Sequence, residues 1–222
     1  MKNAVACSKK WFFKYQKKNL QNYYLIKNLK QLNYKTLKKK NIKYIFFPHW
    51  SFVIPKKIYE NFICIVFHTG NLPRHRGGSP IQNLIMEGYK SSYVCAIKAQ
   101  KKIDSGPIYS RKKISLKGSL DKIFYEISEK ILELMKQIIR KNIQPKEQIG
   151  RKTFFKRLNI ENTIIKKNVS TINMMYDKIR MLDHDEYPNA NFNLNNFNFS
   201  FTKVSKKGQK IYTHCLIKKV KK

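Results

Sequence analysis

Two short stretches combine residue types that ordinary connections seldom hold together. Phe67 to Pro80 reads FHTGNLPRHRGGSP, and Ile103 to Gly106 reads IDSG. The first follows Phe62 to Phe67, an apolar run with the β-branched and aromatic character of a buried strand. It sets His68 at the strand's end, followed by Leu72-Pro73, Arg74, Arg76, Gly77-Gly78 and Ser79-Pro80. The second sets a lone carboxylate, Asp104, in a tight Ser-Gly turn between two further strand-like runs. An imidazole and a carboxylate at the ends of two strands can work as an acid–base pair. Singly, each has a bland reading: His68 as a hydrogen-bonded structural residue, Asp104 as turn chemistry, Gly77-Gly78 as a positive-φ pair before a helix. The combination is what marks a site.

Those turns need a frame. Strand-like runs at Asn3 to Cys7, Tyr23 to Ile26, Lys43 to Phe47, Ile63 to Phe67, Tyr93 to Ala99 and Ile108 to Leu116 punctuate the chain. Helical or helix-compatible segments lie between them at Lys9 to Lys18, at Tyr34 to Asn41 and from Pro55. The alternation predicts an α/β fold, a mostly parallel sheet flanked by helices. In such sheets ligands bind outside the carboxyl ends of strands, which puts His49, Trp50 and His68 on one edge. Ser79 reads as an N-cap and Pro80 as N1 of a helix that stops at Gly88. Helical spacing from Leu120 to Ile138 predicts one long amphipathic helix over Ser119 to Lys141. Gln148 to Asn168 reads as a basic linker, and Ser170 to Leu182 as a helix ended by Tyr187-Pro188. Asn189 to Lys222 reads as a β-hairpin or small meander turning at Ser205 to Gly208. Residues 1–145 therefore read as the catalytic domain and 146–222 as a linker, helix and small β appendage.

Composition narrows the class. The chain has 222 residues, 42% of them apolar, enough for a real core and against global disorder. No apolar run reaches the about 18 residues of a membrane span, and the one near the start is too short for a secretory signal. No membrane partner and a cytoplasmic location are expected. Cys7, Cys64, Cys95 and Cys215 lie apart with no CxxC pair, which predicts reduced thiols and no metal site. A net charge of +34 ordinarily points to nucleic acid. Here lysine is spread from end to end beside abundant Asn, Ile, Tyr and Phe, as A/T-rich coding would give. We read the charge as compositional, with steering of an anionic substrate as its consequence.

His68, Leu72-Pro73, Arg76-Gly77 and Pro80-Ile81, with Asp104-x-Gly106 downstream, form a string that resembles the folate-dependent formyltransferases. That family includes glycinamide ribonucleotide, methionyl-tRNA and sugar-nucleotide formyltransferases. The match is best over Tyr44 to Leu116. Tyr44 to Pro55, Gly77 to Ile85 and Tyr176 to Pro188 are similar to segments of a short bacterial subgroup. The resemblance implies transfer of a formyl group from 10-formyltetrahydrofolate to a primary amine. Such a transfer needs a neutral amine, a donor at the carbonyl oxygen as it gains charge, and a route for the amine proton. The resemblance assigns His68 to the formyl oxygen, and Asp104 to orienting and charging that imidazole and carrying protons. It implies a folate pocket at Phe46, Phe47, Pro48, Trp50, Ile54 and Ile103, with backbone groups of the strand lining the pterin. From the residues themselves, Arg74 and Arg76 read as contacts for an anionic acceptor, with Arg76 first a brace for the loop, and Gly77, Gly78 and Ser79 at the helix start read equally as a positive-φ turn or as a place to receive an anion.

The chain departs from the family pattern twice. The family usually carries an asparagine two residues before the histidine, and this chain has Val66. Loss of one oxyanion donor typically costs about 2.7–4 kcal/mol of barrier. His49, at the end of the neighbouring strand, and Asn71, on the loop, are the expected replacements, with His49 first. The segment before Lys43 also lacks the family's glycine-bearing first loop, so no phosphate role is assigned to it. For the acceptor, the short chain favours an amino-sugar nucleotide over methionyl-tRNA, and a homodimer is admitted. A degenerate, non-catalytic folate-binding protein is the rival from another class, and a basic nucleic-acid module is the third reading.

Overall fold

The computed structural model describes residues 2–220; Met1, Lys221 and Lys222 lie outside it. In chain order the strands are β1 (Lys2–Ala6), β2 (Tyr23–Ile26), β3 (Ile42–Pro48), β4 (Ile63–His68), β5 (Arg76–Gly77), β6 (Ser91–Lys98), β7 (Ile108–Ser115), β8 (Phe154–Phe155), β9 (Ala190–Leu194), β10 (Phe197–Lys207) and β11 (Lys210–Lys219). The helices are α1 (Lys10–Gln16), α2 (Tyr34–Lys39), α3 (Lys56–Tyr59), α4 (Pro80–Met86), α5 (Leu120–Lys141) and α6 (Ile172–Arg180). Two compact units divide them. The first runs to Gly77 and resumes over Ser92–Ile114 and Phe124–Phe154; the second takes Gly78–Ser91, Ser115–Ile123 and the chain from Phe155 on.

The large sheet has the order β2-β1-β3-β4-β6-β7. It is parallel through β2, β1, β3 and β4, as expected of a mostly parallel sheet, and antiparallel at β4–β6, which makes it a mixed sheet flanked by helices. A strand flanked by neighbours and covered on both faces should be almost wholly apolar, and β3 is. Tyr44 and Phe46 stack on one face of it, with ring centroids 5.9 Å apart. Ile45 and Phe47 join Ala4, Ala6, Ile26 and Cys64 in a core cluster. β1 leaves toward β2 on one side while β3 lies on its other side. The ends of β1 and β3 therefore flank a topological switch point, where an open α/β sheet leaves a crevice.

Two helices anchor the first unit. α1 has no side-chain cap at Lys9, so docking, not capping, holds it in place. Trp11 stacks on Phe124 of α5 at 4.6 Å. The buried amide of Gln16 donates to Ser128 Oγ at 2.7 Å and Glu129 Oε1 at 2.5 Å. The apolar stripe of α5, Leu120, Ile123, Phe124, Ile127, Ile131, Leu134, Met135 and Ile138, is buried as its spacing predicts.

In the second unit Arg180 of α6 donates to Asp177 and to the carbonyls of Leu116 and Gly118. β9, β10 and β11 form the expected meander, antiparallel throughout. Phe192 packs flat against Phe199 at 5.0 Å. The turn lies at Gly208, with φ +57, at the end of the stretch expected for it. Asp183 pins the irregularity in β10 by accepting from Lys203 N and Val204 N.

Two local expectations are corrected. Ser79 precedes α4, but its φ is +47 and its hydroxyl caps nothing in that helix. It accepts from Leu158 N at 3.1 Å instead, because the chain at Arg157 passes so close that a Cβ on Gly78 would fall 2.5 Å from it. The segment Gln148 to Asn168 is not a bare linker. It contains β8, which pairs with β5, and a 3-10 turn at Ile160–Thr163 with a reciprocal cap from Asn159. A two-residue strand has no periodicity to read; tertiary partners alone define it.

Phe124→Ala should remove the ring that closes α5 over Trp11 and cost about 3–5 kcal/mol. Urea unfolding of the variant against the parent measures that loss, and a midpoint shift under about 1 kcal/mol would show that α1 is held elsewhere.

Candidate active site

His68 ends β4 and is 5% exposed. Its Nδ1 lies 3.4 Å from Asp104 Oδ2. Its Nε2 lies 2.6 Å from the carbonyl oxygen of His75. A carbonyl can only accept, so Nε2 carries a proton, and Nδ1 faces a carboxylate that also only accepts when ionised. A ring protonated on both nitrogens satisfies both contacts. The two residues that the sequence pairs are thus brought together inside one unit.

Asp104 is held in an uncommon backbone conformation, φ +52. Its Oδ2 accepts from Gly77 N at 2.9 Å. Gly77 has φ +100, which an L side chain would strain to reach. The turn around Asp104 is closed on every side. Ser105 Oγ donates to Lys102 O, and a Cβ on Gly106 would fall 1.8 Å from Lys98 O. Gln148 Nε2 donates to the carbonyls of Asp104 at 3.0 Å and Gly106 at 2.7 Å. Its Oε1 accepts from Arg76 at 2.6 Å.

The loop after His68 wraps its own ring. A Cβ on Gly70 would meet His68 Nε2 at 2.7 Å and His75 O at 2.8 Å. Thr153 fixes the loop's far end: its hydroxyl accepts from His75 N at 2.8 Å and its carbonyl from Arg76 N at 2.9 Å. Arg76 is 3% exposed and turned to Gln148, whereas Arg74 is exposed. Asn71 presents its amide oxygen to Arg111 at 3.2 Å.

At the end of β3 the crevice has a second imidazole. His49 has φ +50, and its carbonyl accepts from Ser8 Oγ at 2.8 Å, just past β1. The residue is half-buried by surface area, yet its Nε2 is enclosed without a hydrogen-bond partner. Burial first, then the charges of Lys9 and His68, pull its pKa from 6.5 down to about 3. The influence of His68 places both rings in one electrostatic neighbourhood. Val66 shares a strand face with His68 and packs against Leu72, Cys95 and Ile97, so it brings no donor.

The residues expected at folate divide by exposure. Phe46 and Phe47 are fully buried, leaving only their backbone to meet a ligand. Trp50 packs edge-on against Phe47 and Phe52, and its indole nitrogen is enclosed without a partner. Ile54 packs against the same core cluster, Pro48 is buried, and Ile103 is 74% exposed. Gly78 and Ser79 belong to the second unit, engaged with Phe155 and Leu158. A cleft of about 560 Å³ opens at the opposite ends of β3 and β4, lined by Tyr44, Phe62, Cys64 and Tyr109, and holds none of the site residues.

Gln148, Thr153 and Ser8 escape the sequence reading. Gln148 and Thr153 lie in the stretch taken as linker, and Ser8 follows a strand without any motif. The His75 contact is made by backbone, which no side-chain pattern reports.

A family model described as formyl transferase matches residues 8–143, and one described as the C-terminal domain of methionyl-tRNA formyltransferase matches residues 160–218. A solved structure, the methionyl-tRNA formyltransferase from Clostridium thermocellum, is 36% identical with a TM-score of 0.91, and the match covers 99% of each chain. The methionyl-tRNA formyltransferase of Rickettsia prowazekii is 31% identical over 96 residues; the matched part is 42% of this chain and spans 31% of that relative. A structure of HypX from Aquifex aeolicus in complex with tetrahydrofolic acid shares the fold, at 13% identity and a TM-score of 0.72 over 95% of this chain and 40% of that one.

The enclosed His49 makes a testable demand on stability. An unfolded histidine takes up a proton near pH 6.5, while the folded His49 stays neutral down to about pH 3. In that window the unfolded state binds more protons, so stability falls as pH falls. Urea midpoints between pH 7 and pH 5 should drop less steeply in His49→Gln than in the parent. Equal slopes would mean that the ring is not held neutral.

Proposed function

We propose that this chain, which belongs to the formyl transferase family, moves a formyl group from 10-formyltetrahydrofolate to the amino group of methionyl-tRNA. The observation that carries the reading is the buried His68–Asp104 pair at the carboxyl edge of the sheet, facing acceptors on both ring nitrogens. The full-length likeness to the Clostridium thermocellum protein supports the acceptor. It also removes the argument that a chain this short must prefer an amino-sugar nucleotide. A net charge of +34 favours a polyanionic partner in the same direction.

The residues present fit a folate donor. Trp50 Nε1 and His49 Nε2 are enclosed polar atoms without partners, beside an aromatic wall of Phe47, Trp50 and Phe52. Folate supplies the formyl carbon. His68 would donate a hydrogen bond from its Nε2–H, held here by the His75 carbonyl, to the formyl oxygen as that oxygen gains charge, and would keep the proton as the carbonyl re-forms. Asp104 keeps Nδ1–H in place. The acceptor amine forms the new C–N bond as the folate C–N bond breaks. Its proton passes by way of Asp104 and water toward the leaving nitrogen. Neutral His49 stands in for the donor that Val66 lacks. Arg76 is spent on Gln148, which leaves Arg74 to meet the anionic acceptor.

Single-turnover transfer tests this reading with both methionyl-tRNA and an amino-sugar nucleotide. Asp104→Asn should slow transfer by about 10²- to 10⁴-fold. His49→Ala should slow it by about 10²- to 10³-fold. Transfer to tRNA should weaken steeply as salt rises. Transfer to the amino sugar alone would move the acceptor, and folate binding without turnover on either would end the enzymatic reading.

A further inference from the structure

We propose that Gln148 is a positioning residue of this site, aiming the Asp104 carboxylate at His68 through three hydrogen bonds from one carboxamide. The inference rests on the formyl-transfer reading for its catalytic consequence, though not for its geometry. Both amide hydrogens are used, one on Asp104 O at 3.0 Å and one on Gly106 O at 2.7 Å. The amide oxygen takes Arg76 at 2.6 Å. Those contacts join the two segments that must meet for Gly77 N to reach Asp104 Oδ2. Carboxylate, backbone amide, guanidinium, carboxamide and backbone carbonyl thus close a ring of contacts around Asp104.

The electrostatics reinforce that ring. Arg76 is 3% exposed, its Nε has no partner, and no ion pair is formed by it among the described residues. A buried cation is costly unless its hydrogens are accepted, so the bond to Gln148 Oε1 is charge-assisted. A guanidinium on the oxygen polarises the amide and strengthens the two N–H bonds to the carbonyls. One of those carbonyls belongs to Asp104 itself, at φ +52, a conformation that persists only where its surroundings impose it, and the other lies two residues on. Packing does not explain Gln148, since its neighbour Ile149 is 90% exposed and Gly150 has φ +118.

Gln148→Glu separates positioning from support. The glutamate keeps an acceptor, now charged, for Arg76, yet has no hydrogen for either carbonyl. A role confined to stability would show in the urea midpoint alone; a positioning role shows in transfer and at the His68 ring as well. Transfer should slow by about 10- to 100-fold, the scale of a small misplacement of a catalytic group. KM for methionyl-tRNA should stay within about twofold of the parent. In an Asp104→Asn background Gln148→Glu should add little, because the carboxylate that it aims is gone.

A second readout needs no substrate. The ¹⁵N resonance of His68 Nδ1 should move in Gln148→Glu in the direction that Asp104→Asn moves it. Gln148→Leu serves as the second variant if the first does not fold. An unmoved Nδ1 resonance in a folded variant overturns the inference, as does a loss that multiplies fully with that of Asp104→Asn. If the parent chain transfers no formyl group, the formyl-transfer reading fails while the resonance still decides the role of Gln148.

Discussion

The carboxylate of Asp104 accepts one backbone N–H, that of Gly77, and the candidate site is built around keeping that donor in place. A carboxylate removed from water needs donors, and leaving it without them would cost several kcal/mol. Gly77 can supply its N–H from this direction because at φ +100 no side chain stands in the way. The β5–β8 pairing, Thr153 on either side of Arg76 N and His75 N, and the Gln148 carboxamide all fix the same few peptide planes. The sheet brings His68 to within reach of the carboxylate. The irregular segments hold it there.

The other half of the crevice follows from topology. Strands β1 and β3 end side by side at the switch point, and Ser8 ties the two ends together by donating to His49 O and contacting Ser51. That tie holds His49 in a positive-φ turn and leaves its Nε2 enclosed. The cleft at the opposite edge has aromatic walls, but lies at the amino ends of β3 and β4. Chemistry in this fold belongs where the strand carboxyl ends release their last residues into a crevice.

How far the sequence speaks depends on the range of the interaction that fixes each element. The long stripe of α5 and the apolar run of β3 carry their own period, so both are legible within a residue or two. The His68–Asp104 pair is legible because motif and strand ends coincide. Gln148 is illegible because three partners in two distant turns give it its role, and none of them leaves a mark nearby. Ser79 misleads for a related reason: it has the residue type of a cap, but the close passage of Arg157 gives its hydroxyl a different partner. The two units also interleave along the chain, so a single boundary near residue 145 describes them only as an expectation.

Two imidazoles of this unit sit in different surroundings. His68 has acceptors at both nitrogens, one of them a carboxylate, which suits the charged ring. His49 has no acceptor for Nε2 and meets the positive charges of Lys9 and His68, so it stays neutral. A neutral ring adds a donor without adding charge, as the amide of an asparagine would. The burial that isolates the Nε2 of His49 is also what keeps that ring neutral.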